Sequence, residues 1–304
     1  MNVVRFPLAL ISLADGSGGL EAIGLVALEL AIGFGAFWTG QWVYRKLVRR
    51  MTLAEELFVK DNVAAALALV GFYLGIAIAL SSVFSKTLET WSDRLVWPLS
   101  HGLLAIALMT VGAWLGDRYL WQRFDASREI LEEQNPGAAA VEAGFHVAHG
   151  LILYAALAGD SGTWLVALAC WLLGLATLIG AGRLYPRLAG YNVFGEIHHR
   201  NNLAAGIALG GWLVGLGNGT KAAFAPEFVS WGLSFGLYSG LLVAILLILW
   251  VARQITDWLL VPGVTIVDEI AHQTRPNVGA ALVEAVAYVA VSILIGGAIT
   301  GAIG

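Results

Sequence analysis

Long apolar runs separated by short polar stretches dominate the chain. Eight runs of roughly 20 residues are long enough to cross a bilayer as helices. They lie at about 20–43, 63–83, 97–116, 137–157, 164–183, 203–223, 229–251 and 278–299. The polar stretches between them are too short to fold as soluble domains. This pattern predicts an all-α integral membrane protein with eight transmembrane helices.

The polar stretches repeat one motif, in which a Glu lies six residues before an Asn that opens a run of small apolar residues. The copies are Glu56 with Asn62, Glu129 with Asn135, Glu196 with Asn202, and a looser pair, Glu269 with Asn277. A Gly follows nine residues after the Asn in the first three copies, whereas Val286 takes that place in the fourth. Copies one and three match best, as do copies two and four. The spacing predicts two tandem four-helix repeats, with domains at 1–157 and 160–304, each containing an older and weaker duplication.

Composition supports a membrane location. The chain is 59% hydrophobic and 12% charged, and its mean hydropathy is +0.78, which is outside the range of soluble domains. The bilayer is therefore the expected partner. A net charge of −4 is too small to indicate nucleic-acid binding. The single cysteine, Cys170, excludes an intramolecular disulfide.

The basic residues predict the orientation. Thirteen of the 17 Lys and Arg residues, Arg253 among them, follow the first, third, fifth and seventh runs, whereas Arg5, Lys86, Arg94 and Lys221 lie on the other side. The positive-inside rule then places all four motifs in the cytoplasm and both termini outside. Because each repeat crosses the membrane an even number of times, the pseudo-two-fold axis runs along the membrane normal. Trp42 and Tyr44 are expected to mark the cytoplasmic interface.

The motif asparagines have two readings. Asn is among the best helix N-caps, so Asn62, Asn135, Asn202 and Asn277 are expected to cap the helices they precede. In the alternative reading, four helix N-termini converge and bind an anion or a lipid headgroup. The preceding loops, at 52–60, 125–133, 192–199 and 265–272, are predicted to form short interfacial helices. The loop histidines, His198, His199 and His272, are expected to face solvent.

The doubled motif resembles the YjfL-like bacterial inner-membrane family, whose members carry one or two copies of the four-helix domain-of-unknown-function family 350. The resemblance covers about 20–157 and 160–302. It is carried by Glu56, Asn62, Ala64, Ala65 and Gly71, and by Glu196, Asn202, Ala204, Ala205 and Gly211. It implies a multi-pass protein of the bacterial inner membrane, sometimes encoded beside polyamine-related or envelope-stress genes. It implies no established activity.

Three ionisable residues share one face of the fourth predicted helix. Glu142, His146 and His149 are spaced by four and three residues, and ionisable groups at this depth are costly and usually functional. They are candidates for a proton relay or for metal ligands, and the alternative is pairing with neighbouring helices. Only the carboxylate recurs in the eighth helix, as Glu284. Two such carboxylates near a symmetry axis are expected to share a proton or bind a cation.

Glu29 lies in the middle of the first predicted helix, and either a functional role or a hydrogen bond to a facing helix fits its position. Two functions follow from these residues. The first is transport of protons or a small cation past Glu142 and Glu284. The second is a membrane-organising or envelope-stress role, in which the interfacial helices bind lipid or partner proteins. No nucleophile–base pair, cofactor motif or metal-site motif indicates an enzyme, and a homo-oligomer or an envelope-stress partner remains open.

Overall fold

A computed structural model describes residues 19–48, 51–84, 91–121, 124–158, 163–260 and 263–303. Eight long helices lie in these ranges, and all eight are long and apolar enough to span a membrane. They are α1 Gly19–Val43, α2 Val63–Ser81, α3 Trp91–Tyr119, α4 Pro136–Ala158, α5 Trp164–Ala189, α6 Leu203–Ala223, α7 Trp231–Leu260 and α8 Val278–Ile303. The described residues contain no strand. The all-α, eight-span prediction is confirmed.

Three helices extend past their apolar runs into sequence that carries charged residues. α3, α5 and α7 extend beyond 97–116, 164–183 and 229–251. Charged residues end an apolar run in the sequence, but their long side chains can reach polar partners while the backbone remains helical. Arg253 is the clearest case, because the sequence places it in a loop whereas it is buried inside α7.

The helices form two layers. The even-numbered helices pack in a row in the order α2, α4, α6, α8, and these are the most extensive helix–helix interfaces of the molecule. The odd-numbered helices form a second layer: α1 packs against α2, α3 against α4, α5 against α4 and α6, and α7 against α6 and α8. The interface between α4 and α6 joins the two repeats and is as close as the interfaces within each repeat.

Glycines at matched positions allow the row to pack closely. A Cβ on Gly144 of α4 would lie 2.5 Å from the Gly210 Cα of α6. A side chain on Gly71 would likewise meet the Ala143 backbone, and one on Gly211 would meet Ala285. Gly71, Gly144 and Gly211 are the three glycines that follow nine residues after a motif Asn. Small residues of this kind let membrane helices approach until their backbones touch.

The two ends of the row carry larger residues at these positions. Val286 of α8 stands where the other copies have Gly, and its side chain is 63% exposed. Val70 of α2 occupies the position of Ala143, Gly210 and Ala285, and it is 52% exposed. Terminal units of a repeat array have no neighbour on one side and so differ from the internal units. The fourth motif copy can therefore carry Val286 in place of Gly, because no helix among the described residues packs closely against that position.

All four motifs lie at the same end of the bundle, which is called the motif side below, and the other end is called the opposite side. The even-numbered helices therefore run in one direction, and the repeats are related about an axis along the membrane normal, as predicted. Several residues that carried the orientation prediction lie outside the described residues, namely both chain termini, Arg5, Arg49, Arg50, Lys86 and Arg123.

Candidate functional site

Each motif Asn caps the helix that follows it. The side-chain Oδ1 of Asn62 accepts a hydrogen bond from the Ala65 amide at 2.9 Å, and Asn202 accepts one from Ala205 at 3.0 Å. Asn135 accepts from two amides, those of Gly137 and Ala138, and Asn277 accepts from Ala280. These bonds satisfy backbone donors that the first turn of a helix leaves without partners.

The same side chains also connect neighbouring units. The Asn62 Nδ2 donates to Glu56 of its own motif at 3.0 Å and to the Ile130 carbonyl of the next motif at 2.9 Å. Asn135 donates to Glu129 and to the carbonyl of Ile197, and Asn202 donates to Glu196 and to that of Ile270. Among the described residues, Asn277 donates to Glu269 alone. The motif is thus a clasp that joins each unit to the next.

Basic side chains complete the clasps. Lys60 donates to Glu56 at 2.8 Å, which raises the pKa of this exposed lysine, and Arg200 donates to Glu196 at 2.8 Å. His198 contacts Glu129 at 2.5 Å and stacks on Phe124. His198 is 41% exposed, as expected for a loop residue, and it also contacts the buried Glu129 carboxylate. The four helix N-termini lie along the row of helices, and their capping amides are engaged by the protein itself.

The first buried cluster joins α1, α2 and α4. Tyr44 follows α1 directly and stacks on Phe72 of α2 with ring centroids 3.8 Å apart. Its hydroxyl donates to the Glu142 Oε1 at 2.5 Å and lies 3.3 Å from the His146 Nε2. His146 is itself 3.2 Å from the Glu142 carboxylate. Tyr44, Glu142 and His146 are all buried, so three polar side chains meet in an apolar surrounding.

His149 lies one helical turn further along α4. The Trp171 Nε1 of α5 donates to its Nε2 at 2.9 Å. Since an indole N–H can only donate, the neutral His149 carries its own proton on Nδ1. A Cβ on Gly112 of α3 would collide with the imidazole, so that glycine makes room for the ring. The Nδ1 atoms of His146 and His149 are buried and have no hydrogen-bond partner among the described residues.

The second buried cluster occupies the matching place in the second repeat. The Glu284 Oε1 accepts from the Tyr185 hydroxyl at 3.0 Å and from the Tyr288 hydroxyl at 2.6 Å. It also accepts from the Arg253 Nε at 2.8 Å, and the Arg253 Nη2 donates to the Ala189 carbonyl at 3.0 Å. Glu284 and Arg253 therefore form a buried ion pair.

The two clusters correspond position by position, with two differences. Tyr185 follows Tyr44 by 141 residues, and Glu284 follows Glu142 by 142. Tyr288 replaces His146, and Arg253 stands where the first repeat has the buried Ala113, 140 residues earlier. The first cluster pairs a carboxyl group with an imidazole, and the second pairs a carboxyl group with a guanidinium, which keeps its proton in proteins.

The structure separates the two carboxylates. α4 packs on one side of α6, at Gly206 and Gly210, and α8 packs on another, at Gly211 and Gly215. Glu142 thus belongs to the cluster of the first repeat and Glu284 to that of the second. This arrangement does not bring them together to share one proton across a symmetry axis.

Glu29 lies away from both clusters. Its carboxylate is 3.4 Å from the Arg94 Nη1 of α3, and both side chains are 28% exposed. The sequence allowed either a functional role for Glu29 or a bond to a facing helix, and this contact with Arg94 is a bond to a facing helix. A half-exposed ion pair of this kind contributes little to stability.

Sequence reasoning identified the carboxylates and histidines but missed their partners. Tyr44 was assigned to the membrane interface, yet it is fully buried against Glu142. Arg253 and Trp171 were also not identified. A Tyr recurs at matching positions, directly after α1 and within α5. This recurrence is a usable signal, because an interfacial aromatic residue does not need to repeat at a fixed position.

The described residues contain no group of three or more His, Cys, Asp or Glu side chains that could hold a metal ion. The clusters instead offer proton donors and acceptors at hydrogen-bond distance. Carboxyl and imidazole side chains inside a membrane form the proton relays of pumps and transporters.

Comparison with known proteins agrees with the duplication. The family model described as Domain of Unknown Function (DUF350) matches the chain twice in tandem, at residues 19–157 and 161–299. The UPF0719 transmembrane protein of Aquifex aeolicus (strain VF5) is 22% identical over 262 residues, which cover 84% of this chain and 93% of the relative. No solved structure matches the chain. Neither description assigns an activity.

Proposed function

We propose that this chain, which belongs to the DUF350 family, passes protons across the membrane through the first of its two repeats. The observation that carries the proposal is the difference between the matched clusters. In the first repeat, the Glu142 carboxylate lies 3.2 Å from the imidazole of His146, and both groups can gain and lose a proton. In the second repeat, Arg253 holds Glu284 in an ion pair.

The proposed path follows α4. Glu142 is seven residues from the N-cap Asn135, which is about 10 Å of helix at 1.5 Å per residue. His146 and His149 continue the line for about 10 Å more toward the opposite side. A proton entering from that side binds the His149 Nε2 after the indole N–H bonded there has moved away, and His149 then releases its Nδ1 proton toward His146. His146 takes up a proton on its Nδ1 and passes its Nε2 proton to the Glu142 Oε1, from which the proton leaves toward the motif side. Tyr44 positions the carboxylate and carries its hydroxyl next to both acceptors.

An open cavity supports entry from the opposite side. A cavity of about 480 Å³ is lined by the last turn of α4 and the first turns of α5, and it reaches Cys170. Cys170 directly precedes Trp171, the residue that hydrogen-bonds to His149. The cavity thus brings solvent to within about one helical turn of the polar line.

The cellular orientation belongs to the same proposal. The excess of basic residues on the motif side favours the cytoplasm for that side, and the family resemblance favours the bacterial inner membrane. Protons would then enter from the periplasmic side. The ionisable residues of the path all belong to the first repeat, whereas the second repeat lines part of the entry cavity and stabilises the row of helices.

Proton flux into proteoliposomes tests the proposal. Each variant is reconstituted at the same number of protein molecules per liposome, counted separately for each orientation. Potassium and valinomycin hold the membrane potential constant. The internal pH is followed after acid is added outside. The wild type is expected to acidify the lumen faster than empty liposomes. Glu142→Gln is expected to slow this flux at least about tenfold, the loss that removal of one acid–base group commonly causes.

The matched control is Tyr288→Phe, which removes one hydroxyl from the second cluster and leaves its ion pair in place. Its flux is expected to equal that of the wild type. Folding of every variant is checked by size-exclusion elution and thermal unfolding. Equal flux in folded Glu142→Gln and wild type would contradict a path through the first repeat.

A second candidate function, the organisation of lipid or partner proteins, is favoured by one feature of the motif side. Phe58 and Val59 of the loop at 52–60 are 82% and 72% exposed, although both are apolar. Side chains of this kind insert into the headgroup region of a membrane. A folded wild type that conducts no protons above empty liposomes would favour this second function.

A further inference from the structure

The cavity on the opposite side has a chemistry of its own. Its wall combines aromatic side chains from three helices and one connecting segment, namely Trp97, His101, Trp164, Phe228 and Tyr238. A volume of about 480 Å³ lies within the range that binds small organic molecules. The polar line along α4 requires no such volume, because a proton relay needs only hydrogen-bonded groups.

The aromatic wall is held in place by ring contacts and a hydrogen bond. His101 stacks on Trp97 with centroids 3.4 Å apart, and its ring is 5.1 Å from that of Trp164. Across the cavity, the Tyr238 hydroxyl donates to the Pro226 carbonyl at 2.9 Å. That bond fixes the segment 225–228, which carries Glu227 and Phe228, against α7.

The charge of the wall is negative. Glu227 is an exposed carboxylate on this wall, and no Lys or Arg is among the described residues that line the cavity. Aromatic faces attract cations through their negative quadrupoles, and such rings grouped around a quaternary or primary ammonium form a known recognition mode. A carboxylate at the rim adds Coulomb attraction for the same ligand.

We infer that this cavity binds an alkylammonium cation, with the ammonium group against the rings of Trp97, Trp164 and Tyr238 and near the Glu227 carboxylate. The ligand is either a free organic ammonium ion or the ammonium headgroup of a lipid, since the cavity opens at the end of the bundle. This inference goes beyond the proposed proton path and does not depend on it.

Isothermal titration of the folded protein in nanodiscs of phosphatidylglycerol tests the inference. The probe is choline, and the reference is 3,3-dimethylbutan-1-ol, which has the same shape without the charge. Choline is expected to bind at least about tenfold more tightly than the neutral alcohol, because cation–π and Coulomb attraction act on the charge alone. Equal affinity of the two compounds, or no choline binding by folded protein, would overturn the inference.

Two variants locate the site. Glu227→Gln and Trp164→Leu are each expected to weaken choline binding about fivefold or more. Both residues are partly or largely exposed, so the fold is expected to tolerate the changes. Trp258→Leu is the control, because this exposed tryptophan lies near the motif-side end of α7. An equal loss in Trp258→Leu would place the binding elsewhere and overturn the assignment.

A change of lipid distinguishes a free ammonium ion from a lipid headgroup as the natural ligand. In nanodiscs that contain phosphatidylethanolamine, weaker apparent choline binding identifies the lipid headgroup as a competing ligand of the same site. Unchanged binding identifies the free cation as the ligand. Because proton flux is not part of either measurement, failure here leaves the proposed proton path untouched, and the reverse also holds.

Discussion

At the scale of single residues, the two repeats differ most at the position shared by Ala113 and Arg253. Both are buried at the same register of equivalent helices. An arginine at this register binds the Glu284 carboxylate and an α5 carbonyl, and an alanine leaves the first cluster to Tyr44 and His146. Together with the replacement of His146 by Tyr288, this difference separates a fixed ion pair from the cluster that we propose exchanges a proton.

Arg253→Ala is expected to destabilise the protein by about 3–5 kcal/mol, because it leaves the Glu284 charge buried without its cation. The free energy of unfolding in mixed micelles is the quantity to measure. Arg187→Ala is the control, since Arg187 is exposed on α5, and it is expected to change that free energy by less than about 0.5 kcal/mol. Combining Arg253→Ala with Glu284→Gln should recover part of the loss. An unaltered stability of Arg253→Ala would show that the pair is not a structural lock.

The sequence predicts buried polar residues correctly where they form a spacing pattern on one helix. It does not predict the hydrogen-bond partners that come from other helices. Glu142, His146 and His149 were found because their spacing marks one helical face. Tyr44, Trp171 and Arg253 belong to other helices, and hydropathy assigns such residues to interfaces or loops. Only the packing of the two layers shows that they meet the α4 and α8 side chains.

At the scale of elements, glycine at the ninth position after the motif Asn decides how closely neighbouring even-numbered helices pack. The sequence predicted the eight helices well, since apolar length is a strong signal, but it ended α3, α5 and α7 too early. The sequence also shows that the fourth motif copy lacks the glycine, but it does not show why. The open end of the row explains why Val286 is tolerated there.

Gly144→Val is expected to cost at least about 2 kcal/mol of unfolding free energy, because its Cβ would lie 2.5 Å from the Gly210 backbone, which cannot move as a side chain can. Thermal unfolding followed by fluorescence size-exclusion chromatography measures the change. Val286→Leu, at the same position of α8, is the matched control and should stay within about 0.5 kcal/mol of the wild type. The prediction fails if both variants unfold like the wild type.

At the scale of the whole molecule, three clasps between neighbouring units and three close helix contacts make one continuous row from two repeats. The interface between the repeats uses the same Asn-to-carbonyl bond and the same glycine position as the interfaces within them. The chain therefore folds as one assembly in the membrane, with all motifs on one side. The positive-inside rule favours the cytoplasm for that side.

Cysteine labelling tests this orientation. In a Cys170→Ala background, Lys221→Cys on the opposite side is expected to react with an impermeant maleimide added to intact spheroplasts. Lys60→Cys on the motif side should react only after lysis. Both lysines are exposed, so reagent access is not limiting. Labelling of both positions from one side would rule out the eight-span topology. Lys86, which the sequence also assigns to the outer side, lies outside the described residues.

We propose that the first repeat holds a buried carboxyl group that exchanges its proton and that the second repeat holds one that does not. The most direct measurement is infrared difference spectroscopy of the folded protein in lipid between acidic and alkaline pH, which detects the C=O stretch of a protonated carboxyl group. A buried-carboxyl band is expected in the wild type, and this band should be lost in Glu142→Gln and retained in Tyr288→Phe. A band that persists unchanged in Glu142→Gln would contradict it.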